Sequence, residues 1–400
     1  MHSYNIKSFF INNRSIFLIV SLLLIIFLAF NFSACEGQEK VIKIGNQAVF
    51  SGEDKFYGDD QLISLSLAVS ELSPVRVGGF DYRIDLITKD DEGNAEKAFL
   101  IAQEFLEEGV TAVVGSTFNG TTKASVPVFA EFNIPIITPS SQGNDISMGS
   151  PNFYRMIINN SQKIENIASF IDEEAKPEKL ILIDNTEEYS VNLVDYLIEV
   201  FDSRKIAYDK RYSVNYDSNE YNILAENLFI DEPDTVFFCA AYNEVADLIT
   251  RVRKTGLDCG FITEEMGMDD GIDEIADKLD LEGLIAVIPD PPSLAKYTED
   301  KESIDFWRKY SDFAAKIQDE NIIKSGPGPF APYSYDAMYV LIDAIQKSNS
   351  ILPEDYSQEL KATSYNGIVG NIQFNSNGER VDPESTIFIM KNGDWVRYTE

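Results

Sequence analysis

The sequence predicts an α/β protein of two doubly wound lobes. Three observations carry this. From Val41 onward, short β-branched runs alternate with amphipathic stretches, as expected of parallel strands joined by helices. The alternation restarts after Glu174, so about 245 residues hold two successive series of αβ units. The chain has 400 residues, 44% of them hydrophobic, which is enough to fill two cores.

The first series opens with a strand at Val41–Val49 and a mostly apolar helix at Gly58–Leu72. Tyr82–Lys89 is the next strand. Asn94 is placed to cap a helix carrying Ala98, Ile101, Ala102, Phe105 and Leu106 at helical spacing, and Gly109 stops it. Strands at Val110–Gly115, Ile134–Thr138 and Phe153–Ile157 follow. After a helix at Ser161–Glu174, the second series begins at Leu180–Asp184 and runs through a helix to Ser203. Its later units are a strand at Tyr208–Val214, a helix at Glu220–Ile230, a strand at Thr235–Ala240, a helix at Glu244–Thr255 and a strand at Phe261–Glu264. Beyond Pro289 the texture changes. Helices are expected at Ile304–Gln318 and Tyr333–Lys347, separated by Gly326-Pro327-Gly328-Pro329. The end alternates like a hairpin, with Asn377-Gly378 and Asn392-Gly393 as turn signals.

The N-terminus stands apart. Lys7 and Arg14 precede an apolar run from Ile16 to Phe30, and no acid occurs before Glu36. That run is shorter than the roughly 20 residues of a bilayer span. Residues 1–34 are therefore expected to be a signal peptide, with an uncleaved anchor as the alternative. Phe32-Ser33-Ala34-Cys35 resembles a bacterial lipoprotein signal, which implies lipidation of Cys35 and a membrane-anchored, extracytoplasmic protein.

Composition excludes several functions. Lys and Arg number 33 against 66 Asp and Glu, a formal charge of −33. Such a surface repels phosphate backbones, so no nucleic-acid partner is expected. The one histidine, His2, falls in the removable segment. Histidine-based nucleophile systems and His-ligated metal sites are thereby excluded, and no catalytic residue, metal or cofactor is expected. Cys239 and Cys259 lie at opposite ends of successive strands, too far apart to bridge, and are expected as buried free thiols. The Asp269–Asp273 run lacks a calcium loop's alternation and reads as a helix start.

Ile42-Lys43-Ile44-Gly45, Ser51-Gly52 and Tyr57-Gly58 open a series of motifs kept in order along the chain. Asp90-Asp91 leads through Ala95, Ala98 and Leu106 to Gly109-Val110 and Val113-Val114-Gly115. Ile134-Pro135, Thr138-Pro139-Ser140 and Gly370-Asn371-Ile372-Gln373-Phe374 complete it. In this series the chain from Val41 to Glu400 resembles the type I periplasmic binding proteins, in the leucine/isoleucine/valine-binding branch of ABC-transporter receptors. The resemblance implies two lobes joined by three crossovers, with ligand held in the cleft between them. It implies that residues 41–157 and about 288–365 form one lobe. Residues 158–287 and about 366–400 would form the other.

Candidate site residues lie on strand-to-helix loops, where open α/β sheets bind ligands. Phe56 and Tyr57 sit on an otherwise polar loop and suit an aromatic wall, or simply pack on their own helix. Ser116, Asn119 and Thr121 lie in a donor-rich loop at a helix start that suits a carboxylate; the alternative is N-capping by Thr121. Ser141 and Gln142 follow the next strand, where the family commonly has a carboxylate-binding threonine. By the resemblance, Tyr189 and Tyr242 match cleft tyrosines, and Glu265 matches the carboxylate that pairs with a ligand ammonium.

The function expected is therefore a monomeric, lipid-anchored receptor that captures a small amphoteric solute for an ABC permease, foremost a neutral or branched-chain amino acid. Rival readings are an amide, urea-like or aromatic-acid receptor of the same fold, and a sensory module for a membrane signalling partner. An extracellular enzyme would need a nucleophile or an acid–base pair that the sequence does not display.

Overall fold

The computed structural model describes residues 40–398 except 148, 290–300, 318–325, 382 and 384. Two sheets, each covered by helices on both faces, form two lobes. The first sheet has the order β2-β3-β1-β4-β5-β6. Its central strands are β1 (Val41–Ala48), β3 (Phe80–Asp90) and β4 (Ala112–Val114), continued by β5 (Ile136–Thr138) and β6 (Phe153–Arg155). All of these pair parallel. A short antiparallel edge, β2 (Val75–Val77), adds to β3 through a turn at Gly78-Gly79 that the sequence reading passed over.

Helix α1 (Lys55–Leu72) shares one core with β1 and with α9 (Lys301–Ile317), α10 (Ala331–Ser348) and α11 (Pro353–Lys361). On the opposite face, Ile101, Ala102 and Phe105 of α2 (Ala95–Glu108) meet Val126 and Phe129 of α3 (Asn119–Glu131). The predicted caps of α2 are present: Lys97 N donates to Asn94 Oδ1 at 3.0 Å, and Gly109 has φ 73°.

The second sheet has the order β15-β14-β11-β10-β9-β7-β8. Five strands pair parallel: β7 (Leu180–Asp184), β8 (Lys210–Ser213), β9 (Thr235–Cys239), β10 (Gly260–Thr263) and β11 (Ile285–Pro289). Every residue of β7 is buried, as a parallel strand covered on both faces requires. Helices α4 (Asn160–Phe170) and α5 (Glu188–Arg204) cover one face; α6 (Ser218–Asp231) and α7 (Tyr242–Thr255) cover the other, with the short α8 (Lys278–Leu281) beside α7. The expected helix at Ser161–Glu174 ends at Phe170, where the chain loosens into a π turn. Cys239 and Cys259 are buried and free, on parallel neighbours as expected. Asp269 caps a short 3-10 turn, Asp270–Glu274, through Gly271 N.

The C-terminal hairpin, β14 (Ser385–Lys391) and β15 (Asp394–Arg397), turns at Asn392-Gly393 and extends the second sheet antiparallel to β11. The hairpin before it, β12 (Ser364–Gly367) and β13 (Gly370–Gln373), behaves differently. Val369 and Ile372 are buried in the first lobe's core, and Val369 N donates to Asp336 Oδ2 on α10 at 2.8 Å. The switch to the second lobe, expected near residue 366, therefore falls beyond Phe374.

Candidate functional site

Both sheets reverse winding direction where strands part: between β1 and β4 in the first lobe, and between β7 and β9 in the second. Loops at such points are where doubly wound sheets receive ligands. After β1 the chain turns into α1, whose Gly58 packs so closely on Val49 that a Cβ would stand 1.8 Å from its carbonyl oxygen. That approach seats Phe56 and Tyr57 in the first turn of α1. Phe50 N donates to Asp90 Oδ1 at 2.8 Å, and Val49 N to Thr117 Oγ1 at 3.2 Å, fixing this loop to its neighbours.

A cavity of about 530 Å³ lies between the lobes. The first lobe contributes Phe56, Tyr57, Ile157, Gly328, Phe330 and Tyr333; the second contributes Tyr242, Glu265, Met266, Met268, Asp269 and Ile288. The wall is mostly apolar and aromatic. Glu265 begins a 3-10 turn after β10, and its side chain keeps 29% of its surface exposed. Burial, then the charges of Asp54 and Glu265, raise the Tyr57 hydroxyl above its ordinary value.

Behind Glu265 is a buried polar network. Lys163 of α4 has no exposed surface and donates to Glu264 at 3.3 Å, to Glu265 at 3.2 Å and to Gln142 Oε1 at 3.4 Å. Tyr189 OH donates to Glu264 at 3.0 Å and accepts from Lys163. Gln142 Nε2 crosses from the first lobe to Glu265 Oε2 at 3.4 Å. Burial pulls the Lys163 ammonium down, but the Glu265 and Glu264 charges outweigh it and hold it above its ordinary value. Burial also pushes the Glu264 carboxyl up, against the pull of Lys163.

Tyr57 from the first lobe and Tyr242 and Glu265 from the second thus line one cavity, and Gln142 and Tyr189 join the network behind Glu265. Ser116, Asn119, Thr121 and Ser141 are not on its wall. The Ser116 hydroxyl is buried with no hydrogen-bond partner, and the other polar atoms of these residues bind the loops themselves. Ser116 O accepts from Thr122, Thr138 and Ser141 hydroxyls at 3.3 Å each, Asn119 Oδ1 accepts from Gln142 N and Gly143 N, and Thr121 Oγ1 bonds Phe118 O. Arg155, buried and paired with Glu379 at 2.7 Å, also donates to Ser141 O and Gly143 O and so pins the loop after β5. Cys35 lies outside the described residues.

Lys163 and Arg155 escaped the sequence reading. A signal existed for Lys163, which stands four residues before Ile167 and seven before Phe170, on the buried stripe of α4. A lysine at a core position needs a buried partner.

Two helix-covered lobes enclosing a solute-sized cavity define a two-lobed solute-binding protein. The chain belongs to the periplasmic binding protein family, whose sequence profile matches residues 41–394. These proteins are substrate-binding receptors of transporters and not enzymes. A leucine-, isoleucine-, valine-, threonine- and alanine-binding protein of Pseudomonas aeruginosa is 23% identical over 349 residues, covering 87% of this chain and 89% of its own. A branched-chain amino acid transporter substrate-binding protein of Streptococcus pneumoniae, solved with isoleucine, superposes with a TM-score of 0.67 at 19% identity, covering 89% of this chain and 98% of its own. A solute-binding protein of R. palustris, solved with benzoate, gives the same TM-score at 19% identity and covers 89% of this chain and 95% of its own. Structures bound to unlike ligands share this fold, so the fold alone does not name the solute.

Proposed function

We propose that the protein is an extracytoplasmic, lipid-anchored receptor that captures a small solute with a charged head and an apolar body for an ABC permease. A neutral, branched-chain amino acid is the foremost ligand. The observation that carries this reading is a partly exposed carboxylate, Glu265, on a mostly apolar and aromatic interlobe cavity of about 530 Å³, with Asp269 the other acid lining it. A ligand ammonium there would form a charge-assisted hydrogen bond in a poorly solvated cleft. The names of the amino-acid-binding relatives support the same class.

Binding to the native state alone stabilises it, by roughly 4 kcal/mol at about 1,000 times Kd. Soluble residues 36–400 should therefore melt several degrees higher with leucine or isoleucine in a thermal-shift panel. Glu265→Gln should remove that shift. A larger shift from amides or aromatic acids that lack an ammonium would replace the amino-acid reading with the rival solute class. Anchoring is tested separately by metabolic labelling with a palmitate analogue. Label is expected on the full chain and not on Cys35→Ala; label persisting on the variant would refute lipidation at this cysteine.

A further inference from the structure

The strands of the first sheet, β2 apart, all run the same way, so one end of the sheet borders the cavity and the other faces away from it. The far end is where the chain enters the lobe. Lys40 leads into β1, and its carbonyl accepts from Arg83 N of β3 at 2.9 Å. Val41 pairs with Arg83, so β3 reaches three residues beyond that pair, to Phe80. Lys40 Nζ stands 4.3 Å from the centre of the Phe80 ring.

Phe80, Phe132 and Leu352 lie at this end, and each is at least half exposed. Phe80 follows the Gly78-Gly79 turn. Gly78 N donates to Asn349 Oδ1 at 2.7 Å, which brings the loop carrying Leu352 alongside. Phe132 ends α3 just before β5. β3 and β5 stand three places apart in the sheet, which is about 14 Å at about 4.8 Å per strand. Single exposed apolar side chains are ordinary, but a set gathered at one end of a lobe marks an interface.

Charge and chain length say what covers it. Around Phe80, Lys40, Arg76 and Arg83 stand against Asp81 and Asp85, three cations to two acids on a chain of formal charge −33. Such cations can lay their stems along apolar surface and reach lipid phosphates with their heads. Glu131, Glu354 and Asp355 flank Phe132 and Leu352, which favours zwitterionic over anionic headgroups. Only five residue steps separate Cys35 from Lys40, at most about 18 Å of chain at full extension. An anchor at Cys35 therefore keeps this end of the first lobe beside the bilayer.

We propose that this end of the first lobe is a bilayer-contact face of the free receptor. Phe80, Phe132 and Leu352 enter the headgroup region of zwitterionic phospholipid and hold the cavity end of the lobe away from the membrane. This rests on the membrane anchoring proposed above and adds to it a second contact, with a stated lipid partner.

The test uses the full chain, purified with its anchor and reconstituted on vesicles of brominated phosphatidylcholine, which quenches any tryptophan that touches it. Phe80→Trp and Phe132→Trp place reporters on the face. Ile230→Trp is the control, because Ile230 is exposed near the start of β9, at the end of the second lobe turned away from the cavity. The two native tryptophans give the same background in every variant. Emission added at positions 80 and 132 should be lost on brominated vesicles and kept on unbrominated ones, while emission at 230 should be kept on both. Serine at all three positions of the face should speed amide hydrogen exchange over residues 78–83 on vesicles and leave it unchanged in soluble residues 36–400. Protein that floats with the vesicles but shows no quenching at 80 and 132, or equal quenching at 230, would overturn the inference and leave the anchoring intact. Blue-shifted, unquenched emission that grows with protein density would mean that a second copy covers the face, and would also overturn it. Protein that does not float at all would count against the anchoring and the inference together.

Discussion

Asp60 places a carboxyl group with no exposed surface under the cavity wall. Burial raises it from 3.8 to about 7, against the opposing hydrogen bonds from Tyr310 and Gly328. The folded protein thus holds this proton to higher pH than the unfolded chain does. Stability from that difference is fully present below about pH 4 and is lost as pH rises through about 7. Asp60→Asn cannot ionise, and its side-chain oxygen still accepts both bonds. The variant should therefore gain on the wild type by roughly 2–3 kcal/mol between about pH 5 and pH 8, as read by urea denaturation at both ends. A stability difference that does not change with pH would sink this account. At this scale the site was half legible. Tyr57 could be placed because it sits on a loop after a strand end, and Tyr242 and Glu265 because, on such loops, the resemblance matched them to cleft residues. Lys163 could not, because its role depends on Glu264 and Glu265, a hundred residues away. The same holds for Ser141: a hydroxyl's type says what it can donate, and only the fold shows that a backbone oxygen already takes it.

Helices and strands were read well where pattern and punctuation agree. α2 carries its apolar stripe between a capping asparagine and a stopping glycine, and β7 is a continuous apolar run that only a doubly covered strand can bury. Edges were read less well. β2 has three residues and α11 nine, too short for periodicity to build a signal, and both are set by what they pack against. The two late hairpins show the limit most clearly. Asn392-Gly393 turns β14–β15, which pairs with β11 of the second lobe, whereas β12–β13 turns at Gly367–Gly370, ahead of the expected Asn377-Gly378, and docks on α10 of the first. Local sequence specifies a hairpin and does not say which core will take its buried face. The second docking also reaches the cavity, since Trp395 Nε1 donates to Asp269 O at 3.1 Å and so holds the loop that carries part of the wall.

At the scale of the molecule, a cleft between lobes joined by crossovers invites hinge closure on a solute that contacts both walls. Arg155, at the end of β6, pairs with Glu379 just beyond β13, so two of the connections between lobes are tied to each other. Solute at saturation should lower the radius of gyration in small-angle scattering; an unchanged profile would mean a rigid or one-lobe site. The chain's route through the lobes has one more effect. The first sheet is complete by Arg155, but the face bearing Ile42, Ile44 and Val114 is closed by Val340, Leu341 and Ile345 of α10. The second sheet waits longer, for residues 385–397. A chain emerging N-terminus first and stopped at residue 289 would hold the first sheet uncovered on one face and the second sheet without its last two strands. Each lobe thus reaches its final shape only once the last third of the chain has joined it.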